Sequence, residues 1–405
     1  MRAAGVMAGV AVLATVGVLG VAAPASADSI RDSEYWLSDY GFTTAWATTQ
    51  GAGITVAVID TGIDGSVPDL TGVVVGGTDE SGVGSANGQT PVGTDDEHAT
   101  LVASMLAGHG HGSGAGVIGV APQAKLLSVS VGFGVGTVDD DDQIAQGVRW
   151  AVDHGANIIN MSLTRNTLDW PPSWDSAFLY AMEHNVIVVA AAGNRGSGTT
   201  EVGAPATMPG VVVVAGVDRD GNASFDASSQ GITLSVAAPS EDLVGAGPGG
   251  AYYDWSGTSG SAPLVAGLLA LIEASHPGIS AGNAINRLTA TATPKGAAIT
   301  YGSGLFNAAA AVTASVPSVT TNPADALKNW VRLNRRATAS PAPVASGIAT
   351  PVPTPTAVAA PVTPFGSVLP TVASLRDVGL PLALYLAFAA LLAFIIRGAW
   401  RARRK

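Results

Sequence analysis

The chain contains no cysteine, so no disulfide braces it and no thiol serves it as a nucleophile. Basic residues are scarce where the chain is longest: residues 28–315 carry 8 Lys and Arg against 28 Asp and Glu, a net charge of −20. So acidic a segment argues against nucleic acid or an anionic surface as its partner. Without covalent braces its stability must come from a core, which about 290 residues supply readily as one domain. Also lacking is a second Asp-Thr-Gly or Asp-Ser-Gly beside the single Asp60-Thr61-Gly62. That absence argues against a two-carboxylate aspartic protease.

What the chain does have includes a distinctive segment at each end. Met1 to Ala27 holds Arg2, an apolar stretch through Ala23 and the small-residue ending Ala25-Ser26-Ala27, the pattern of a secretory signal peptide. Val378 to Ile396 is apolar throughout and nineteen residues long, about 28 Å as a helix and enough to span a bilayer. Arg397, Arg401, Arg403, Arg404 and Lys405 follow, so residues 397–405 form a cytoplasmic tail by the positive-inside rule. The signal peptide independently places the long middle segment outside. Between them, ten of the 24 prolines fall from Val316 to Val378 among Ala, Thr, Ser and Val, and residues 316–377 read as a semi-rigid linker. Within it, Asp325 to Arg336 has the makings of a short basic helix with no assigned function.

From Ile54 to Ser315 apolar strands alternate with helices. Ile54 to Ile59, Lys125 to Val131, Ile158 to Leu163 and Val186 to Ala192 have strand length and β-branched content, while Asp140 to His154 has a helical apolar side in Ile144, Val148, Trp150 and Ala151. Strand, helix, strand implies right-handed crossovers and an α/β fold: a mostly parallel sheet with helices on both faces. Active sites of such sheets lie beyond the carboxyl ends of the strands, where Asp60 and Asn194 fall.

Three stretches carry chemistry. Gly257-Thr258-Ser259-Gly260-Ser261-Ala262-Pro263 runs into an apolar helix. Thr258 reads as its N-cap, and Pro263 lies near enough to the start that its missing N–H costs little. Ser259 in that first turn lies beside unpaired N–H groups at the positive end of the helix, where developing negative charge is stabilised. The strand ending at Ile59 delivers Asp60, and His98-Ala99-Thr100-Leu101-Val102-Ala103 opens a second small-residue helix. In the order Asp, His, Ser, the motifs Asp-Thr-Gly-Ile-Asp, His-x-Thr-x-Val-Ala and Gly-Thr-Ser-x-x-Ala-Pro resemble the three signatures of the subtilisin-like serine peptidases, the subtilases.

A serine hydroxyl is a poor nucleophile until a base removes its proton, and neutral imidazole suits that task. The resemblance implies that Ser259 is the nucleophile, His98 the general base and then acid, and Asp60 the residue that orients the imidazole. It further implies a subtilisin-like three-layer fold and makes Asn194 the side-chain donor of the oxyanion hole. An edge strand, Ser162-Leu163-Thr164, with Gly193, would hold an extended protein or peptide substrate. Thr164 departs from the family's usual Gly, and its branched side chain narrows the cleft. Ala99 and Ser104 replace two further family glycines with small residues.

Residues 28–53, with Tyr35, Trp36, Tyr40, Phe42 and Trp46, are too aromatic for a free tail. They resemble the N-terminal extension of mycosins, membrane-anchored subtilases associated with type VII secretion, and are expected to pack on a catalytic domain at 54–315. The function implied is a membrane-anchored extracytoplasmic serine endopeptidase linked to protein secretion. The alternative is mainly a structural subunit of a type VII-like secretion complex with secondary protease activity, with such subunits as partners. No cofactor is expected. Subtilases often bind structural calcium, yet no run of oxygen ligands here assigns a site. Asp139 to Asp142 reads as a helix start stabilised by the helix dipole. His109-Gly110-His111 reads as a Gly-rich loop without a matched carboxylate pair, and His154, His184 and His276 as residues at helix ends.

Overall fold

The computed structural model describes residues 29–112 and 114–335. The signal peptide, the membrane helix and the basic tail expected from the sequence lie outside the described residues, as does the linker beyond residue 335.

Seven strands, numbered along the chain, form the central sheet: β1 (Thr55–Asp60), β2 (Val74–Asp79), β3 (Lys125–Ser130), β4 (Ile158–Met161), β5 (Ile187–Ala191), β6 (Val212–Val217) and β7 (Leu234–Pro239). Their order is β2-β3-β1-β4-β5-β6-β7, and every pairing is parallel. Because successive side chains on a strand point to opposite faces, each strand feeds two cores. Val56, Val58, Ile158, Ile187, Val189 and Ala191 face one layer, which includes Ala99, Val102 and Leu106 of the helix His98–Ala107 and Ala262, Val265 and Leu269 of the helix Thr258–Ser275. Ala57, Ile59, Ile159, Met161, Val188 and Ala190 face the other, built on the helices Asp140–Asp153 and Pro172–Glu183. The result is the expected α/β architecture with helices on both faces. Among the described residues one helix, Thr258–Ser275, is long and apolar enough to cross a membrane, and it is buried in this core.

The same alternation positions the site. Asp60 follows Val56 and Val58 on the even positions of β1, so its carboxylate points to the layer of the His98 and Ser259 helices.

The aromatic arm packs on the body. Tyr35, Trp36, Leu37, Tyr40, Phe42 and Ala45 are buried. Phe306 meets the rings of Tyr40 at 4.9 Å and Phe42 at 5.4 Å, and the Trp46 indole donates to Val120 O at 2.8 Å. The reading of 316–377 as linker needs correction over its first twenty residues. Pro323–Asn334 is a helix capped by the Asn322 side chain, and it docks on the body through buried Ala324 and Leu327. Trp330 lies against Trp170 with centroids 4.2 Å apart, and Arg335 pairs with Asp175 at 2.8 Å.

His109-Gly110-His111 also differs from its reading as a loop. It is a strand paired with Ala115–Ile118. His111 Nδ1 lies 2.6 Å from the buried Asp69 carboxylate, which also accepts from Val117 N and Tyr252 OH. A carboxylate 42 residues distant in sequence supplies the partner that the local stretch lacks. No group of three or more His, Asp or Glu with metal-site geometry occurs among the described residues. Asp139 caps its helix by accepting from Asp141 N. His154, His184 and His276 are C-cap residues of their helices.

Candidate active site

Three neighbouring strands and two helices converge on one point. β1, β4 and β5 lie side by side in the sheet, so the residues at and beyond their carboxyl ends, Asp60, Ser162 and Gly193-Asn194, emerge together. His98 and Ser259 stand in the first turns of two helices packed on that end. Every site residue read from the sequence falls in this cluster. One placement differs: Ser162-Leu163-Thr164 continues a central strand, β4, past the end of the ladder instead of belonging to a sheet edge.

Asp60 is buried, and its carboxylate accepts from Thr61 N at 2.7 Å and faces His98 Nδ1 at 2.9 and 3.0 Å. An acceptor on Nδ1 fixes the tautomer with the proton there, which leaves Nε2 as the ring's free acceptor. Burial is the largest influence on His98 and pulls its pKa down. The charge and hydrogen bond of Asp60, with the charges of Asp95 and Glu97, together outweigh it and hold the imidazole above the ordinary histidine value. With 27% of its side chain exposed, the ring retains enough water contact for the carboxylates to prevail. Trp255 packs on the imidazole edge to face, centroids 5.9 Å apart.

Ser259 is the second residue of its helix, so its N–H has no intrahelical acceptor. The Ser259 hydroxyl donates to Ser162 O at 3.0 Å, and no hydrogen bond joins it to His98 among the described residues. Pro263 is the sixth residue of this helix and lies in its interior. Its missing N–H therefore leaves the carbonyl of Ser259, four residues earlier, without a helical donor. Ser162 fills the vacancy: its hydroxyl donates to Ser259 O at 2.8 Å and accepts from Asn160 Nδ2 at 3.0 Å.

The N-cap is Gly257, not Thr258, and it makes no side-chain cap. The Thr258 hydroxyl is used across the cleft, donating to Asn194 Oδ1 at 2.9 Å and accepting from Gly193 N at 3.1 Å. Thr258 N donates to the same Oδ1 at 2.8 Å. With its oxygen held twice, the Asn194 amide keeps Nδ2 against Gly257, at the start of the Ser259 helix. Gly257 permits this approach, since a Cβ there would lie 2.9 Å from Nδ2 on a backbone with φ of 144°. Asn160 and Trp255 are thus site residues that the motifs do not single out, and Thr258, inside the Gly-Thr-Ser motif, bonds across the cleft instead of capping its helix. A polar Asn in the otherwise apolar run Ile158-Ile159-Asn160-Met161 was the one available signal.

The arrangement offers a carboxylate-bound imidazole, a hydroxyl at a helix start and, near that start, a backbone N–H without a helical acceptor and the Asn194 side-chain amide. The model of the subtilase family matches residues 51–306. Subtilisin DY of Bacillus licheniformis is 38% identical over 269 residues, 65% of this chain and 92% of that protein. The crystal structure of MycP1 from Mycobacterium smegmatis matches with a TM-score of 0.63 at 27% identity, covering 72% of this chain and 87% of that one. That of the MycP3 protease from the type VII (ESX-3) secretion system matches with a TM-score of 0.59 at 27% identity, covering 74% and 91%.

Proposed function

This chain belongs to the subtilase family and is a subtilisin-like serine peptidase of mycosin-like type, and from that premise we propose that it cleaves peptide bonds with Ser259, His98 and Asp60. The observation that carries the reading is the Asp60–His98 pair at 2.9 Å beside a serine at a helix start.

The chemistry follows from the geometry. A substrate strand pairs with Ser162-Leu163-Thr164 and brings its carbonyl carbon before Ser259 Oγ. The hydroxyl turns from Ser162 O and gives its proton to His98 Nε2 as Oγ bonds to that carbon. The C=O π pair moves onto oxygen, where Ser259 N–H and Asn194 Nδ2 stabilise the charge. As the carbonyl re-forms, the C–N bond breaks and His98 returns the proton to the leaving amine. Water then attacks the acyl-enzyme by the same route, releasing the acid and restoring Ser259. Asp60 keeps the ring oriented and stabilises it while protonated. No step requires a cofactor.

The apolar residues 378–396 and the basic residues after them support a single-pass anchor with the peptidase outside and the tail in the cytoplasm. Likeness to the MycP3 protease of a type VII secretion system supports a role in protein secretion. A mainly structural role in such a complex is the second reading, favoured by the same likeness.

Ser259→Ala tests the chemistry: hydrolysis and labelling by a fluorophosphonate should both vanish, and labelling that persists would move the nucleophile elsewhere. Secretion retained in a host carrying only Ser259→Ala would favour the structural reading. Protease added outside protoplasts should release the catalytic domain and leave a fragment with the basic tail; full protection in accessible membranes would invert the topology.

A further inference from the structure

Two threonine methyl groups lie against Gly193, beside the segment proposed to hold substrate. A substrate carbonyl held between Asn194 Nδ2 and Ser259 N–H belongs to a residue whose main chain runs along Ser162-Leu163-Thr164. On the serine-peptidase reading, its side chain enters the space between that segment, leaving β4, and Gly193, leaving β5. Little space is left there. A Cβ built on Gly193 would lie 2.7 Å from Thr199 Cγ2, 3.1 Å from Thr164 Cγ2 and 3.2 Å from Ser229 Oγ. Behind them Arg165 N donates to Ala204 O at 2.7 Å.

Hydrogen bonds hold both methyls in place. The Thr164 hydroxyl donates to Arg165 O at 3.1 Å, and the Thr199 hydroxyl to Asn166 Oδ1. Each bond turns the polar arm of its threonine away from Gly193. Ser229 Oγ donates to Thr199 O and ties down the backbone of the second threonine. Thr199 is buried at 5% exposure, so it has no open side into which to swing. A branched residue cannot yield there without losing its hydrogen bond and entering a poor rotamer.

We propose that Thr164 and Thr199 restrict this peptidase to Gly, Ala or Ser on the acyl side of the cleaved bond, and that Leu or Phe at that position is refused. The proposal rests on the serine-peptidase reading above.

The test uses the catalytic domain in its full chain and two internally quenched peptides identical but for Ala or Phe at the acyl-side residue. Wild type should favour Ala over Phe by about a hundredfold or more in kcat/KM, since a pocket discriminates by about 10- to 200-fold per methylene-sized misfit. Thr164→Ser and Thr199→Ser each remove one methyl and keep the hydroxyl. Each should lower the Ala-to-Phe ratio by about tenfold, and the double variant further. A fluorophosphonate too small to fill the slot reports Ser259 independently. Its failure to label wild type overturns the peptidase reading and the slot with it. Labelling together with equal cleavage of the two peptides, or a ratio unmoved in the double variant, overturns the slot alone.

Discussion

Ser162 and Ser259 hold each other through two hydrogen bonds that run in opposite directions. The Ser162 hydroxyl donates to Ser259 O, and the Ser259 hydroxyl donates to Ser162 O. The first bond answers a need created by Pro263, and the second holds the proposed nucleophile beside the strand proposed to receive substrate. Ser162→Ala leaves Ser259 O without either its helical or its side-chain donor, and Asn160 Nδ2 without its acceptor. A buried unsatisfied group costs about 1–3 kcal/mol, so urea unfolding should show a loss of that size. The rate of fluorophosphonate labelling should fall with it. Unchanged stability would mean that another donor reaches Ser259 O.

Asn194 and Thr258 act as a unit. Asn194→Ala should lower kcat by about a hundred- to a thousandfold with KM little changed, because in the proposed mechanism the amide acts on the oxyanion. Thr258→Val removes the hydroxyl that holds Asn194 Oδ1 and Gly193 N but keeps the backbone donor. It should lower kcat less, by about tenfold. In the Asn194→Ala background Thr258→Val should add almost nothing, since a positioning group has no effect once its target is gone. Additive losses would give Thr258 a role of its own.

If His98 is the base, as proposed, its raised pKa sets the acid limit of activity. The base must be neutral, so kcat/KM rises with pH through the folded pKa, and its midpoint should lie above the ordinary histidine value of about 6.5. The stability contribution runs the other way. A His pKa raised by folding favours the protonated fold, so that contribution is complete below the unfolded pKa and lost as pH rises through the folded one. Asp60→Asn removes the charge and hydrogen bond that raise it. The midpoint should move down and kcat fall by about ten-thousandfold. A midpoint that stays in place would assign the limb to another group.

Glu273, buried near the end of the Ser259 helix with Oε1 unpartnered among the described residues, titrates the opposite way from a paired carboxylate. Burial pushes it up to about 8. The fold binds its proton at neutral pH while the unfolded chain does not, so stability falls as pH rises from the unfolded carboxyl pKa toward the folded one. Glu273→Gln should flatten that slope and stabilise the protein by about 2–3 kcal/mol at pH 7. Parallel pH profiles for variant and wild type would refute this.

Motif residues were legible because their chemistry is written over short spacings: Asp60 ends an apolar run, and His98 and Ser259 each open a small-residue helix. Polar partners from distant segments were not. Thr258 has every local mark of an N-cap, yet its hydroxyl is claimed by Asn194, 64 residues away. His111 shows no carboxylate nearby in sequence because Asp69 reaches it only through the fold. The helix Pro323–Asn334 reads as a short basic helix within a linker, since its apolar contacts with the body come from few residues, Ala324, Leu327, Trp330 and Val331, and the tryptophan it meets, Trp170, lies far back in the chain.

The N-terminal arm leads to a statement about maturation. Trp36 and Phe42 are fully buried, and Tyr35 OH donates to Glu241 O at 2.9 Å. Arg31 donates to Gly116 O, and Glu34 accepts from Ile118 N at 3.0 Å while pairing with Arg31 at 3.1 Å. Burying one large apolar side chain contributes about 1.5–3 kcal/mol, so deleting residues 29–46 should destabilise the body by several kcal/mol and expose surface that aggregates. An arm so engaged is poorly suited to removal by the enzyme's own site. Wild type and Ser259→Ala, isolated from the native host, should therefore begin at the same residue, near Asp28. N-terminal sequencing and intact mass decide the matter: a longer N-terminus in Ser259→Ala alone would establish self-processing and make the arm a cleaved segment.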